Sequence, residues 1–461
     1  MISSSLKPGT SSQPCVPSGR LAFPLTPRAL LLLLAGTLWL VPGFSHPRFC
    51  WGVLVWDIVV LAAGLFDARQ LPSPESIVAE RSWSNAPALA NETEIELAIL
   101  QRTGARGRVL LCALLDDLPD ALVQTPEPLL LMAYPNVRAS VRYRFTPRER
   151  GDHQTGSLYL RYRSATGLVE RWALAKLTQT VRIYPTLRAG EEQQLFLART
   201  RQIELQLRLQ RQRGLGRDFE SLREYRQGDD MRDVCWTASA RHGALITQQY
   251  QTEKSQAVWI VLDAGRLQRA RIDGYTKLDY STGAALALAQ LALFSGDRVG
   301  LLAYGQGIQQ RVGLGRGAGH LRQLVETLAL VQSETAEADH LRATATLNRM
   351  QPRRSLILWI TDLAETAMRP EVVDGASQLL RRHLLLFVAM GQVDVQQIAA
   401  ARPATASGMY RSAAAQELVQ RRELLLARLR GQGALTLETT PQATMSAVLN
   451  RYLSVKEEGL L

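Results

Sequence analysis

Lysine is scarce in this 461-residue chain: of 54 basic residues only Lys7, Lys176, Lys254, Lys277 and Lys456 carry an amine. Proteins that coat nucleic acid usually draw on lysine and arginine together. A net charge of +12 is therefore weak support for such a role, and basic, aromatic-interleaved nucleic-acid motifs are missing as well. Cysteine is also rare. Cys15, Cys50, Cys112 and Cys235 are too few and too scattered to staple a disulfide scaffold. The six histidines (His46, His153, His242, His320, His340 and His383) show no metal-ligand spacing. No phosphate-cradling loop is present. Gly313-Leu-Gly-Arg-Gly-Ala-Gly lacks the Gly-Lys-Ser/Thr ending and reads as a flexible turn before a helix. No Gly-x-Ser-x-Gly elbow or Cys/His pair suggests a hydrolase. What remains is 46% hydrophobic and 21% charged, which excludes disorder of the whole chain. The length is a prior for about three domains.

The apolar residues are unevenly spread. Ala29 to Phe44 and Cys50 to Phe66 are long apolar runs separated by a short Pro/Gly-rich connection. Each is slightly under the roughly 20 residues that cross a bilayer core. Together, over residues 29–66, they predict a transmembrane helical hairpin, since backbone groups in lipid must be satisfied internally. Trp39, Trp51 and Trp56 suit its interface. Lys7, Arg20 and Arg28 precede the hairpin and Arg69 and Arg81 follow it, while the turn holds only His46 and Arg48. Both ends, the tail 1–28 and everything after the hairpin are thus expected on the cytoplasmic side of a plasma or inner membrane. A signal peptide is the alternative, but no small-x-small cleavage site follows and a second apolar run does. Asp57 stands within the second run, where charge is costly. It would pair across the hairpin or with a partner helix, or stay protonated.

From 72 to 187 the pattern turns to period two. Glu94–Leu100, Val109–Leu115, Val141–Phe145 and Leu158–Arg163 alternate apolar with polar residues between turn-like stretches. This predicts a small antiparallel β-sandwich-like domain, with its alternating arginines as a solvated face. Residues 188–254 form a connector. Its part Glu191–Arg217 is basic and reads as a helix or a solvated linker near anionic lipid.

From 255 to 461 the chain alternates buried strands with helices. Strands are expected at Ala257–Asp263, Asp297–Tyr304, Ser355–Asp362, His383–Met390 and Ala434–Glu438. Helices are expected at Leu278–Phe294, Ala318–Val331, Glu417–Arg430 and from Ala443. Continuous apolar strands between helices imply a doubly wound α/β sheet covered on both faces. Ligands of such sheets bind at the carboxyl ends of the strands. Asp263 and Asp362 both end strands. With a hydroxyl from Thr276 or Thr361 they would suit a hard cation such as Mg²⁺.

Residues 221–241, Ser221-Leu-Arg-Glu-Tyr-Arg-Gln-Gly-Asp-Asp-Met-Arg-Asp-Val-Cys-Trp-Thr-Ala-Ser-Ala-Arg, form a long charge-rich segment. Gly228-Asp229 would make a turn. Arg223, Arg232 and Arg241 would pair with Glu224, Asp229, Asp230 and Asp233, with Tyr225 and Trp236 packed beneath. Such a segment would dock the β-domain against the α/β unit or present a partner surface. The segment resembles the signature of the domain of unknown function 58 family, including Ser239. Val234-Cys235-Trp236 departs from it, where the family commonly has a polar residue before the tryptophan. Members are typically bacterial, with a membrane hairpin, a β-domain, this signature and a von Willebrand factor type A-like domain. The same order runs through nearly the whole chain. The resemblance implies an adaptor or assembly factor working beside a MoxR-type AAA+ ATPase.

A full type A domain carries a metal-dependent adhesion site with an Asp-x-Ser-x-Ser loop. Here the loop is Asp263-Ala-Gly-Arg-Leu267, with Gly265 and Leu267 in place of the serines and Arg266 beside them. Asp263, Thr276 and Asp362 would make at most a degenerate site, and an arginine could stand in for the metal. The leading expectation is a non-enzymatic, membrane-anchored interaction protein without a cofactor. The competing expectation is a Mg²⁺-dependent hydrolase using Asp263, Asp362 and Asp273 or Asp279.

Overall fold

The computed structural model describes residues 7–18, 24–43, 50–102, 108–122, 127–164, 166–185, 218–226, 231, 234–251, 255–363, 371–391, 393–403 and 405–460. The chain mixes helix and sheet and divides into two compact units, Met1–Tyr184 and Pro185–Leu461. The basic stretch Glu191–Arg217 lies outside the described residues.

In the first unit the period-two segments are strands: β1 (Ser11–Pro14), β2 (Val16–Pro17), β3 (Ile77–Trp83), β4 (Thr93–Gln101), β5 (Leu110–Asp116), β6 (Leu129–Ala133), β7 (Arg138–Phe145), β8 (Gly151–Thr155), β9 (Leu158–Arg163), β10 (Glu170–Ala175) and β11 (Gln179–Ile183). One antiparallel sheet runs β1-β3-β4-β7 and a second runs β2-β10-β9-β5-β6, while β8 pairs with β11. Their alternation buries one face. Ile77, Ala79 and Trp83 on β3 are buried, as are Leu114 on β5 and Leu160 and Tyr162 on β9. The arginines of β7 stay outside: Arg142 and Arg144 reach Glu96 and Glu94 on the neighbouring strand. Arg81 does not join that solvated face. It is fully buried and bonds Asp116, Thr155 and the carbonyl of Leu177.

The segment expected as a cytoplasmic tail supplies an edge strand to each sheet, β1 beside β3 and β2 beside β10. Strands of four and two residues are too short to show alternation. Pro14 and Pro17 are tolerated there because an edge strand leaves some N–H groups without a ladder partner.

Three apolar helices belong to this unit: α1 (Pro27–Gly36), α2 (Leu40–Gly43) and α3 (Cys50–Gln70). Thr26 caps α1 with Pro27 at its first position, a preorganised start. Among the described residues one helical stretch, from Trp51, is long and apolar enough to cross a membrane. Pro27–Trp39 is apolar but shorter. The two touch where the Trp56 indole N–H donates to the carbonyl of Leu32 at 2.8 Å. Leu31, Leu34, Val55, Ile58 and Phe66 remain exposed.

The second unit begins with β12 (Asp218–Glu224), the helix α4 (Trp236–His242) and β13 (Ile246–Gln251), with β12 and β13 antiparallel. The α/β body follows in the order β14 (Ala257–Asp263), β15 (Arg271–Ile272), β16 (Tyr275–Thr276), α5 (Lys277–Phe294), β17 (Arg298–Tyr304), β18 (Ile308–Gly315), α6 (Gly317–Leu330), α7 (His340–Met350), β19 (Leu356–Thr361), α8 (Glu371–Leu380), β20 (Leu384–Met390), α9 (Val393–Ala400), α10 (Ala406–Gly431), β21 (Leu435–Thr439) and α11 (Thr444–Glu457). Its six-stranded sheet runs β18-β17-β14-β19-β20-β21. Five strands are parallel and β18 is antiparallel at the edge.

Helices α7, α8 and α10 cover one face, packing Leu347, Val372, Leu379 and Leu426 with Trp259, Ile357, Trp359 and Phe387. Helix α5 is buried nearly all round through Gly283, Ala284, Ala285, Ala287 and Ala289, as expected of a helix between sheet and further helices. The glycine-rich segment read as a flexible turn is instead partly strand. Gly313 and Gly315 lie in β18, and only Gly317 (φ +83°) takes a left-handed conformation at the start of α6.

Candidate functional site

Counted within the α/β sheet, the strands run third, second, first, fourth, fifth, sixth. The order reverses between β14 and β19, and the crevice beyond such a switch point is where ligands of open α/β sheets bind. Asp263 is the last residue of β14 and Asp362 immediately follows β19. Topology therefore brings the two expected acids to one edge.

Each is then occupied from within. Asp263 Oδ1 accepts from the backbone N–H of Gly265 at 2.7 Å and Oδ2 accepts from the Thr361 hydroxyl at 2.7 Å. Burial pushes the Asp263 carboxyl above its ordinary value, against the pull of His340 and these two donors. Asp362 receives two cations. Lys277 Nζ donates to Oδ2 at 2.5 Å and Arg422 Nη1 to Oδ1 at 2.9 Å. Arg422 also donates to Glu438 and to the carbonyl of Met390, both at 2.8 Å. Lys277 and Asp362 are each 2% exposed. Two cations thus face two carboxylates, Asp362 and Glu438, and the cluster is balanced without help.

The remaining expected ligands are elsewhere. The Thr276 hydroxyl and backbone N–H serve a capping box with Asp279 at the start of α5, a helix-entry device. Thr361, the other hydroxyl considered, is the one on Asp263. Arg266 does not stand in for a metal: it is exposed and pairs with Glu337. Asp273 sits in the turn between β15 and β16 and accepts from Gln442. A side chain at 265 has no room, because its Cβ would come within 2.8 Å of both the backbone N and the Cβ of Ala338. The hydroxyl of an adhesion-type loop is excluded there. Among the described residues no group of three or more metal-binding side chains forms. These residues do not fit a Mg²⁺ ion.

Beside the acids, the Trp359 indole donates to the Tyr304 hydroxyl at 2.7 Å, which lies 2.9 Å from His340 Nδ1. Burial lowers the basicity of His340 and raises that of the Tyr304 phenolate. This chain of hydrogen bonds holds its members in fixed orientations.

The described part of the signature segment is the end of β12 and α4, and β13 follows it. The Ser239 hydroxyl accepts from the backbone N–H of Ile246 at 2.8 Å and donates to the carbonyl of Cys235 at 2.8 Å, tying α4 to β13. Arg223 donates to the carbonyl of Glu224 and Tyr225 is half-buried. Arg241 is exposed at the end of α4, where a cation complements the helix dipole. Trp236 does not pack beneath the arginines: it is 63% exposed. Gly228, Asp229, Asp230, Arg232 and Asp233 lie outside the described residues.

In the first unit two helix bases meet one loop. Thr26, at the start of α1, donates its hydroxyl to the carbonyl of Gly167 at 2.6 Å. Asp67, near the end of α3, accepts from the hydroxyls of Ser164 and Thr166 and from the backbone N–H groups of Leu168 and Val169. Asp57 turns toward α1, where a Cβ on Gly36 would lie 2.9 Å from its Oδ1, and that oxygen has no hydrogen-bond partner among the described residues.

Sequence reasoning found Asp263, Thr361 and Asp362 and missed Lys277, Arg422, Glu438 and Asp67. One signal was present: Arg422 lies on the same helical stripe as the buried Leu426 and Leu429.

Uncharacterized proteins of Mycobacterium tuberculosis and Mycobacterium bovis are 28% identical over 155 residues, 32% of this chain and 48% of theirs. The chain thus spans about half the length of the curated relatives it matches. Among solved structures, the conserved hypothetical protein BatB from Bacteroides thetaiotaomicron aligns with 44% of this chain and 100% of its own at 15% identity and a TM-score of 0.29. An uncharacterized membrane spanning protein from Vibrio fischeri aligns with 43% and 96% at 12% identity and a TM-score of 0.17. Likenesses at these scores carry no weight for fold or activity. Residues 221–396, which hold the signature together with Asp263, Lys277 and Asp362 but not Arg422 or Glu438, match the family described as Protein of unknown function DUF58.

Proposed function

We propose that the chain is a membrane-anchored, non-enzymatic adaptor whose α/β body resembles a von Willebrand factor type A domain and engages a protein partner, a MoxR-type AAA+ ATPase, during assembly or maturation of protein complexes. The observation that carries the reading is the closed edge of the α/β sheet. The place where an α/β enzyme keeps its reactive groups is here filled by Lys277 and Arg422 on Asp362 and by Thr361 on Asp263. Among the described residues at this edge, neither acid is left free to abstract a proton or attack a bond. The third-second-first-fourth-fifth-sixth strand order with an antiparallel edge strand supports the type A likeness.

The anchor is a two-helix hairpin in a plasma or inner membrane, with both ends in the cytoplasm. Supporting it are the exposed apolar surfaces of α1 and α3 and their attachment to one loop, residues 164–169. A loop that receives both helix bases supports the reading that both chain ends lie on one side.

Co-elution of the detergent-solubilised full chain with a purified MoxR-type ATPase, with and without nucleotide, tests the partner. Association and a change in ATP turnover are expected. Hydrolysis of a phosphate ester by the chain alone, abolished by Asp263→Asn, would overturn the adaptor reading. Proteolysis of vesicles of known orientation tests the topology, and protection of the β-unit in inside-out vesicles is the outcome that contradicts it.

A further inference from the structure

We infer that Lys277 is a built-in cation in the position where this sheet edge would otherwise take a metal ion, so that the α/β body keeps one conformation whether or not divalent cations are present. The argument needs no partner and stands apart from the adaptor reading. An ammonium at the first position of a helix faces the positive end of the helix dipole. A lysine is also among the side chains least often fully buried. Lys277 is nevertheless 2% exposed at the start of α5, so a specific partner must compensate for both costs.

That partner is Asp362, the acid across the switch point, at 2.5 Å. Arg422 takes its other oxygen, which also accepts from the backbone N–H of Leu363 at 2.9 Å. Both oxygens of Asp362 are therefore spoken for. On the facing side Asp263 is held by Gly265 N–H and Thr361, and burial favours its neutral form. A divalent ion would have to displace an ammonium, and it would then meet a permanent guanidinium two bonds' reach away on the same carboxylate. Repulsion between unscreened buried cations is severe. The missing side chain at Gly265 removes one further ligand, since the backbone of Ala338 occupies its space.

The test is calorimetric and thermal, on the full chain in detergent. Wild type should give no saturable Mg²⁺ or Mn²⁺ binding and the same unfolding temperature in EDTA and in excess Mg²⁺. Lys277→Ala frees one oxygen of Asp362 and should unfold several degrees lower, with part of the loss restored by Mg²⁺. Lys277→Arg should behave as wild type toward the ions. Saturable binding by wild type that vanishes in both Asp263→Asn and Asp362→Asn would overturn the inference. So would a Lys277→Ala protein that unfolds at the wild-type temperature. If Lys277→Ala does not accumulate folded, the wild-type titration decides alone: binding that survives both Asn variants lies elsewhere and leaves the inference standing, as does no binding.

Discussion

Two buried clusters of arginine and carboxylate lie among the described residues, and they do different work. In the β-unit, Arg81 joins Asp116 between the two sheets, with Thr155, the carbonyls of Leu177 and Gly156 and the Tyr143 hydroxyl around them. In the α/β unit, Arg422 shares Asp362 with Lys277 beyond the ends of the strands. The first sits where a domain has only core, so one cation and one anion suffice to tie two layers. The second sits where an α/β sheet has its ligand crevice, and it spends an extra cation to fill it. Burial alone does not separate a staple from a plugged site; position on the sheet does.

The largest effect expected from breaking that pairing is in the β-unit. Arg81→Leu leaves Asp116 buried without its cation and should cost about 3–5 kcal/mol in denaturant unfolding of the full chain. Adding Asp116→Leu should restore much of the loss, because replacing a whole buried pair by apolar groups is often neutral. A double variant no more stable than the single would mean that Tyr143 and Thr155 need the acid, and would make the cluster a network rather than a staple.

Next in size is the loop that receives the helix bases. Asp67 is 4% exposed and accepts from four donors. Asp67→Ala strands those donors and should cost about 1–3 kcal/mol. Thr26→Val removes a single hydroxyl and should cost less. If Asp67→Ala changes neither unfolding nor protease susceptibility near residue 70, the helices do not depend on this loop for attachment.

A smaller effect concerns pH in the α/β unit. His340 is held below its ordinary value of 6.5 by burial, opposed by Asp263, Glu371, Asp339 and Glu337, and His383 is lowered in the same direction. The unfolded chain therefore takes up these protons first. Stability should be fully present above about pH 6.5 and fall as pH drops through that value. Asp263 has the opposite sign, since its raised value favours the folded state at acid pH and that contribution is lost as pH rises. His340→Gln should flatten part of the acid-side slope, and an unchanged slope in chemical denaturation from pH 7 to pH 5 would remove His340 from the account.

The strands of the α/β unit were legible because apolar runs such as Ala257–Asp263 end abruptly in acids, and all five expected strands fall within a residue or two of the observed ones. Other features were not. Strand β18 is polar on an edge and interrupted by glycine, so its period is weak. Helices α7 and α8 are short; α7 is rich in threonine and arginine, and α8 carries Gly375 at its centre. The cations escaped because local sequence does not separate Arg421 from Arg422: one is exposed and pairs with Glu417 along the helix, the other is buried on Asp362. Only helix phase distinguishes them. Likewise Arg81 resembles the solvated Arg142 in its alternating strand until the facing sheet supplies Asp116.

Trp236 extends the contrast between filled and open surface, with the smallest effect on folding. The strand-end edge is closed, whereas this indole stands 63% exposed on α4. An exposed tryptophan anchored by a short, well-tied helix has the character of an interface hot spot. The tie is Ser239, which fixes α4 to β13 through Ile246 and Cys235. Trp236→Ala should therefore leave unfolding within about 0.5 kcal/mol of wild type while weakening the proposed complex with an AAA+ ATPase by roughly tenfold or more. Ser239→Ala should do the reverse in part, lowering local stability and weakening binding only through the helix it releases. Titration of the two variants against the same purified ATPase separates the cases. Equal affinity for Trp236→Ala and wild type would move the proposed partner surface off the signature segment and leave the exposed faces of α9 and α10 as its place.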